Sequence, residues 1–175
     1  MPVYNEIDND GRVQRAAECL AAKHNVTLFA VNSHRGYSNR HFALRTVSLS
    51  WLGQRGILRY AYFCTAMVIA ALRVRPHVIF AHDYFTAWPA RTCAALTGAV
   101  LVYDSHELII PEEGIKMGRR DAFFYRLEKL TLPRAALIIA ANSERAALMQ
   151  RHYGLADTPL AVHNIAPVPG DNPGA

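Results

Sequence analysis

The sequence has little cysteine, and its cysteines are not arranged to build a disulfide framework or a metal site. Cys19, Cys64 and Cys93 are odd in number, widely spaced and set in apolar, helix-like stretches. No Cys-x-x-Cys pair is present, so neither a cysteine zinc site nor a set of disulfides is expected. We therefore expect a protein of a reducing compartment that is held together by an apolar core.

Three further absences narrow the range of possible functions. The net charge is +5, but there is no lysine-rich tract and no basic segment interleaved with aromatic residues. This argues against a nucleic-acid partner and leaves a bias toward anionic ligands or membrane surfaces. The absence of a Gly-x-Gly-x-x-Gly motif argues against a nicotinamide-binding domain. Residues 1–10 have no basic region and no apolar run, so we expect no export signal and a cytoplasmic protein.

What the sequence does contain is a regular alternation of strand and helix patterns. Short apolar runs rich in β-branched residues predict strands at residues 25–31, 42–49, 77–82, 99–105, 136–141 and 160–163. Apolar residues at helical spacing predict helices at residues 12–24, 55–73, 86–97, 119–132 and 143–153. Strand and helix in alternation indicate an α/β fold with a Rossmann-like, doubly wound parallel sheet.

The chain is long enough for one well-filled domain. About half of its 175 residues are apolar, which suits a single core of this size. Residues 167–175 are rich in proline and glycine, a composition typical of a linker or tail. We therefore assign residues 1–166 to the domain and residues 167–175 to an interdomain linker or tail.

Polar residues follow two of the predicted strands. The segments His77-Val-Ile-Phe-Ala-His-Asp83 and Ala99-Val-Leu-Val-Tyr-Asp-Ser-His-Glu107 each end in a histidine beside an acid. In open parallel sheets, ligands bind outside the carboxyl ends of the strands. We therefore expect one crevice to be lined by His82, Asp83, Ser105, His106 and Glu107.

These residues also have purely structural interpretations. A histidine at a strand end can serve only to hydrogen-bond a loop carbonyl. Asp104 and Glu107 can cap the following turn or pair with Arg119 or Arg120.

Five segments, taken in order, resemble a known family. They are Asn9-Asp-Gly-Arg-Val13, Phe80-Ala-His-Asp83, Tyr103-Asp-Ser-His-Glu107, Arg134-Ala-Ala-Leu-Ile-Ile-Ala140 and Val162-His-Asn-Ile-Ala-Pro167. This set resembles the amino-terminal, acceptor-side domain of GT-B glycosyltransferases, and within them the retaining glycosyltransferase family 4. The resemblance implies a hexosyltransferase that moves a sugar from a nucleotide-sugar to an acceptor hydroxyl in glycan biosynthesis. It implies no metal and no cofactor, since the nucleotide-sugar is a co-substrate.

The resemblance also implies roles for individual residues. The loop Asp10-Gly11-Arg12 would approach the donor diphosphate at a helix start. His106 would be the catalytic residue that faces the donor sugar and phosphate. The acceptor, a sugar, a lipid-linked molecule or another small molecule, would be bound on the other side of the cleft. The residues implied there are His82, Asp83, Ser105, Glu107, Asn142 and Ser143.

Two departures from the family pattern affect the expected activity. Only Pro2-Val-Tyr4 stands where the family has an apolar first strand, at the centre of the sheet. The carboxyl-terminal domain, which in the family binds the nucleotide and carries a pair of glutamates, is also missing. We therefore expect the chain alone to be an inactive part of a glycosyltransferase. The alternative is a catalytically inactive, stand-alone module for acceptor binding or subunit interaction.

The predicted helix at residues 57–72 is apolar on nearly every face. Its apolar run is about a dozen residues, short of the roughly 20 that span a bilayer. Arginines flank it at positions 55, 59, 73 and 75, as suits the surface of an anionic membrane. We expect either peripheral contact with the inner face of the membrane through this helix or a core helix packed on the sheet.

Overall fold

The computed structural model describes residues 1–31, 42–52, 56–111 and 116–163. The alternating α/β pattern and the parallel pairing confirm the predicted fold class. The strands are β1 (Thr27–Val31), β2 (Ala43–Val47), β3 (Val78–His82), β4 (Val100–Ser105), β5 (Leu137–Ala140) and β6 (Leu160–Ala161). The helices are α1 (Gly11–Ala21), α2 (Gly56–Val74), α3 (Tyr84–Thr97), α4 (Arg119–Thr131) and α5 (Ser143–Tyr153). The proposed linker, residues 167–175, lies outside the described residues.

All strand pairs in the described residues are parallel. β3, β4, β5 and β6 form one sheet in that order, and β1 pairs with β2. The register places His82 of β3 beside Asp104 of β4. The polar ends of the two strands are therefore level, as the sequence pattern predicts.

The amino-terminal segment occupies the place of the expected first strand. The Val3 amide donates to the Phe29 carbonyl at 2.9 Å, and the Phe29 amide donates to the Met1 carbonyl at 2.9 Å. On the other side, the His82 amide donates to the Pro2 carbonyl at 3.2 Å. The expectation that this strand is lacking is thus corrected in part, because residues 1–5 lie between β1 and β3 and satisfy amides of both. Pro2 has no amide hydrogen, which limits the regularity of the pairing.

The two faces of β1 pack on different helices, because successive side chains of a strand point to opposite faces. Leu28 and Ala30 belong to a buried cluster with Val13 of α1. Phe29 and Val31 pack with Phe63 of α2 in a second, larger cluster. Burial of both faces explains why the strand reads as a continuous apolar run.

Side chains cap the starts of α1 and α5, and a glycine ends α5. The Asp10 side chain accepts from the Val13 amide at 3.1 Å and caps α1. At α5, the cap is Asn142, whose side chain accepts from the Arg145 amide at 2.8 Å. Ser143 is the first helical residue of α5. Gly154 ends α5 with a φ of 64°, a left-handed conformation that glycine adopts without strain.

Helix α2 is longer than its apolar run suggested. It has 19 residues, or about 28 Å at 1.5 Å per residue, close to the roughly 30 Å of a bilayer core. Among the described residues it is the one helix whose length and composition would allow it to cross a membrane, and 11% of its apolar window is buried. Phe63 and Met67 are its buried residues. One face of α2 therefore belongs to the core and the opposite face is exposed.

Candidate functional site

A pocket of about 130 Å³ lies at the carboxyl ends of β3 and β4. The amino-terminal segment and the start of α1 close its other sides. It is lined by Val3, Tyr4, Asn5, Asp10, His82, Asp83, Phe85, His106 and Glu107. The structure therefore brings together five of the residues singled out in the sequence, and it does so where open α/β sheets bind ligands.

Two histidines of the pocket lining form a compact triangle with the buried carboxylate of Asp104. His82 Nδ1 lies 3.2 Å from Asp104 Oδ2 and 3.2 Å from His106 Nε2. His106 Nε2 lies 3.2 Å from the same Asp104 oxygen. His82 is fully buried, and burial is the main reason why its pKa is lowered to about 4. His82 is therefore neutral at pH 7.

Asp104 is the residue that the other members of the cluster share. Its second oxygen, Oδ1, accepts from Arg12 Nη2 at the start of α1. Burial alone would raise the pKa of Asp104, but hydrogen bonds from His106 and His82 hold the pKa well below its usual range. Asp104 pairs with Arg12, which corrects the interpretation that it caps a turn or pairs with Arg119 or Arg120.

Asp83 connects β3 to α3 in an unusual backbone conformation. Its φ is 65° and its ψ is 163°, a region that non-glycine residues rarely adopt and that costs about 1–3 kcal/mol. The Asp83 amide donates to the Asp104 carbonyl at 2.9 Å, and its carboxylate accepts from the Tyr84 amide at 2.9 Å. Burial raises the pKa of Asp83 to about 6. Strain of this kind is concentrated at functional sites.

The pocket combines carboxylates with aromatic rings. Asp10, Asp83 and Glu107 contribute carboxyl groups to its lining. Tyr4 and Phe85, whose ring centroids are 5.4 Å apart, contribute its apolar wall. Carboxylates accept hydrogen bonds from hydroxyls, and they attract cations and repel phosphate. The pocket therefore suits a polyhydroxyl group or a cation better than a diphosphate.

The other predicted site residues lie around this pocket in different ways. Arg12 is engaged with Asp104, and Gly11 is the first residue of α1. Ser105 is buried, and its hydroxyl donates to the Glu107 carbonyl at 3.0 Å. Asn142 and Ser143, at the start of α5, do not line the pocket within the described residues. Arg145 of the same helix start reaches the site, since its Nη1 donates to the His106 carbonyl at 2.7 Å.

A second, larger concavity shares Glu107 with the first. It has a volume of about 410 Å³. Its lining consists of Tyr84, Glu107, Leu108, Ile109, Ile110, Pro111, Met117 and Asp121. A concavity lined by both apolar and acidic side chains thus borders the first pocket.

Sequence reasoning missed the roles of Asp104, Tyr4 and Phe85. Asp104 follows Val102 and Tyr103 inside an apolar run. An acid within a buried strand needs a partner, so this position could have indicated a buried ion pair or hydrogen bond. Tyr4 and Phe85 enter the site through tertiary packing, and no local pattern marks them.

Comparison with known proteins is consistent with this architecture. The model of the glycosyl transferase 4-like domain matches residues 11–164. That range contains β1 to β6 and the two histidines of the site. A search of curated proteins finds no match. Because the family match covers most of the chain, this protein belongs to the glycosyl transferase 4-like domain family.

Proposed function

We propose that this domain binds the acceptor in a glycosyltransferase that transfers a sugar from a nucleotide-sugar to an acceptor hydroxyl with retention of configuration. The main support for this proposal is the pocket at the ends of β3 and β4, in which carboxylates and aromatic rings surround His82 and His106. Sugar hydroxyls donate to carboxylates, and aromatic rings offer an apolar wall to the carbon face of a sugar ring. In this proposal the domain is the amino-terminal half of a GT-B enzyme.

The proposed chemistry assigns His106 to the reacting end of the pocket. His106 lies at the pocket wall, and its Nε2 is held by Asp104 and His82. A histidine fixed in this way can orient or hydrogen-bond the donor sugar as its bond to the leaving diphosphate breaks. The Asp10-Gly11-Arg12 loop lies at the start of α1, where the helix dipole favours an anion. The donor diphosphate is proposed to approach this loop from outside the carboxylate-lined pocket.

Substitution of His106 tests the catalytic assignment. In a full-length enzyme that contains this domain, we expect His106→Ala to lower turnover at least tenfold, about 1.4 kcal/mol of transition-state stabilisation. His152→Ala is the matched control, since His152 lies on α5 and pairs with Tyr125, away from the pocket. Near-normal turnover in His106→Ala would remove His106 from the reacting site.

Acceptor binding can be measured on this chain alone. Saturation-transfer NMR with a panel of monosaccharides in chelator-treated buffer should give signals that Asp83→Asn weakens and His152→Ala leaves unchanged. If no sugar gives a signal, the acceptor assignment is wrong.

The same assay addresses the alternative of a catalytically inactive binding module. This alternative is supported by a pocket whose lining is supplied by this chain. Sugar binding together with no transfer when the full gene product is given nucleotide-sugars would favour the module. Transfer by the full gene product would favour the enzyme.

We also propose that the exposed face of α2 contacts the inner surface of the membrane. Apolar side chains on and beside this helix are exposed, with Ile57 at 86% and Trp51 at 67% of their full accessible surface. Leu58, Tyr62, Ile69 and Leu72 continue the exposed face along the helix. Arg73 and Arg75 are exposed at its end, and each basic residue near an anionic surface contributes about 1 kcal/mol. The apolar side chains of Leu108, Ile109 and Ile110 in the concavity beside the pocket would suit a lipid-linked acceptor.

Vesicle binding tests this contact. The chain should co-sediment with vesicles that contain anionic lipid, and Leu58→Glu with Ile69→Glu should abolish co-sedimentation. Leu96→Glu on α3 is the matched control, because Leu96 is similarly exposed on another helix. Equal binding by the control and the double variant, or no binding by the wild type, would refute the contact.

A further inference from the structure

The triangle of His82, Asp104 and His106 cannot be satisfied by protons alone. Each imidazole nitrogen is either a donor or an acceptor, and a carboxylate oxygen only accepts. If His82 Nδ1 and His106 Nε2 both carry protons, their two N–H groups face each other at 3.2 Å. If only one of these two nitrogens carries a proton, the lone pair of the other nitrogen faces Asp104 Oδ2 at 3.2 Å. With the two rings in this orientation, one of the three contacts is repulsive in every arrangement of the protons.

A cation would make all three contacts favourable. The three atoms are 3.2 Å from one another. An ion about 2.1 Å from each atom would therefore have ligand–metal–ligand angles of about 100°. This ligand–metal–ligand angle lies between the angles of octahedral and tetrahedral coordination. Two neutral imidazoles with one carboxylate are ligands that suit Zn²⁺ and other first-row transition metals.

The surroundings support such an ion. Arg12 binds Asp104 Oδ1 and leaves Oδ2 for the cluster, and ligating carboxylates are commonly hydrogen-bonded in this way. His82 and His106 also line the pocket, so water or a sugar hydroxyl can complete the coordination. Asp10, Asp83 and Glu107 add negative charge to the same space, which raises the local concentration of cations.

We propose that His82 Nδ1, His106 Nε2 and Asp104 Oδ2 form a binding site for a divalent transition-metal ion of the Zn²⁺ type. This goes beyond the proposed sugar transfer and differs from the expectation that no metal is involved. His82 Nε2 is buried and has no hydrogen-bond partner among the described residues. An imidazole without a second partner binds metal about 10- to 100-fold more weakly, so we expect a weaker affinity than that of a site whose histidines both have such partners.

Metal titration of the purified chain tests the proposal without measuring turnover. Co²⁺ should bind at one equivalent, produce visible d–d absorption bands and be displaced by Zn²⁺. His106→Ala should weaken binding at least tenfold, and His152→Ala should leave it unchanged. His106 is partly exposed, so its replacement is not expected to prevent folding.

Nitrogen-15 NMR of the histidine rings provides a second measurement that does not depend on any variant. Zn²⁺ should shift His82 Nδ1 and His106 Nε2 and leave the His152 ring unchanged. Absence of saturable binding up to about 1 mM metal, in the range of the weakest specific complexes, would refute the site. Binding that His106→Ala does not weaken would also refute it. Sugar binding is assayed in chelator-treated buffer, so failure of either proposal can be distinguished from failure of the other.

Discussion

Neighbouring residues of β4 anchor two buried polar clusters of different character. Tyr103 points toward α4 and α5, where its hydroxyl and that of Tyr153 each donate to one oxygen of Glu128. Asp104 points the other way and meets Arg12, His82 and His106. Because side chains alternate along a strand, one short segment supplies both clusters.

The clusters differ in how completely their atoms are paired. Each Glu128 oxygen has one hydroxyl donor, and Tyr103 and Glu128 are almost completely buried. The Asp104 cluster has a repulsive contact and an unpartnered nitrogen, His82 Nε2, and it borders a pocket. A fully paired network rigidifies a core, whereas unpaired groups in a native structure call for a functional explanation. This difference indicates a stabilising role for the Glu128 cluster and supports the proposal that the Asp104 cluster binds a ligand.

The largest expected effect on stability comes from removing the centre of the paired cluster. Glu128→Ala takes away the acceptor of the buried Tyr103 hydroxyl, leaves the Tyr153 hydroxyl with the Ile109 carbonyl at 3.2 Å, and creates a cavity. The free energy of unfolding should therefore fall by about 4 kcal/mol. Urea denaturation measures this loss. Glu144→Ala, at an exposed position of α5, should cost less than about 1 kcal/mol. A similar small loss for both variants would contradict the stabilising role of Glu128.

The pH dependence of stability gives a smaller effect with a definite sign. Burial raises the pKa of Glu128 from 4.5 to about 7, so the folded state holds its proton more tightly than the unfolded state. The stability from this group is complete below pH 4.5 and is lost as the pH rises to about 7. The total loss should be on the order of 3 kcal/mol.

Glu128→Gln isolates this contribution, because the amide mimics the protonated acid at every pH. The unfolding free energies of the wild type and this variant should diverge between pH 4.5 and about 7, with the wild type becoming relatively less stable. Contributions from groups that do not interact with Glu128 cancel in this comparison. Parallel pH profiles would show that Glu128 does not titrate in this range.

The smallest expected effect concerns the ion pair of the second cluster. Arg12→Ala removes the strongest cation near Asp104, and the partly exposed position of Arg12 limits the loss to about 2 kcal/mol, below that of a fully buried pair. Arg126→Ala, at an exposed position of α4, is the control for loss of a surface arginine. If Arg12→Ala and Arg126→Ala lower the free energy of unfolding equally, Arg12 does not stabilise Asp104.

Much of the fold could be predicted because local patterns determine it. The continuous apolar runs of β3 and β4 and the helical spacing in α1 are local signals, and all six predicted strands are present. The location of the pocket was also predictable, since His82 and His106 end adjacent parallel strands. The placement of residues 1–5 between β1 and β3 was not, because it depends on unpaired amides that only the assembled sheet reveals.

The sequence by itself determined the alternation of strands and helices, and with it the edge at which the polar residues of β3 and β4 meet. Periodicity is a local property, so it can be read without the fold. Only the tertiary structure decided that Asp104 contacts Arg12, which is 92 residues away, and that Glu128 is buried between two tyrosines. Such contacts depend on which helix packs on which face of β4. They also depend on the low dielectric of the interior, which makes each buried charge require a partner.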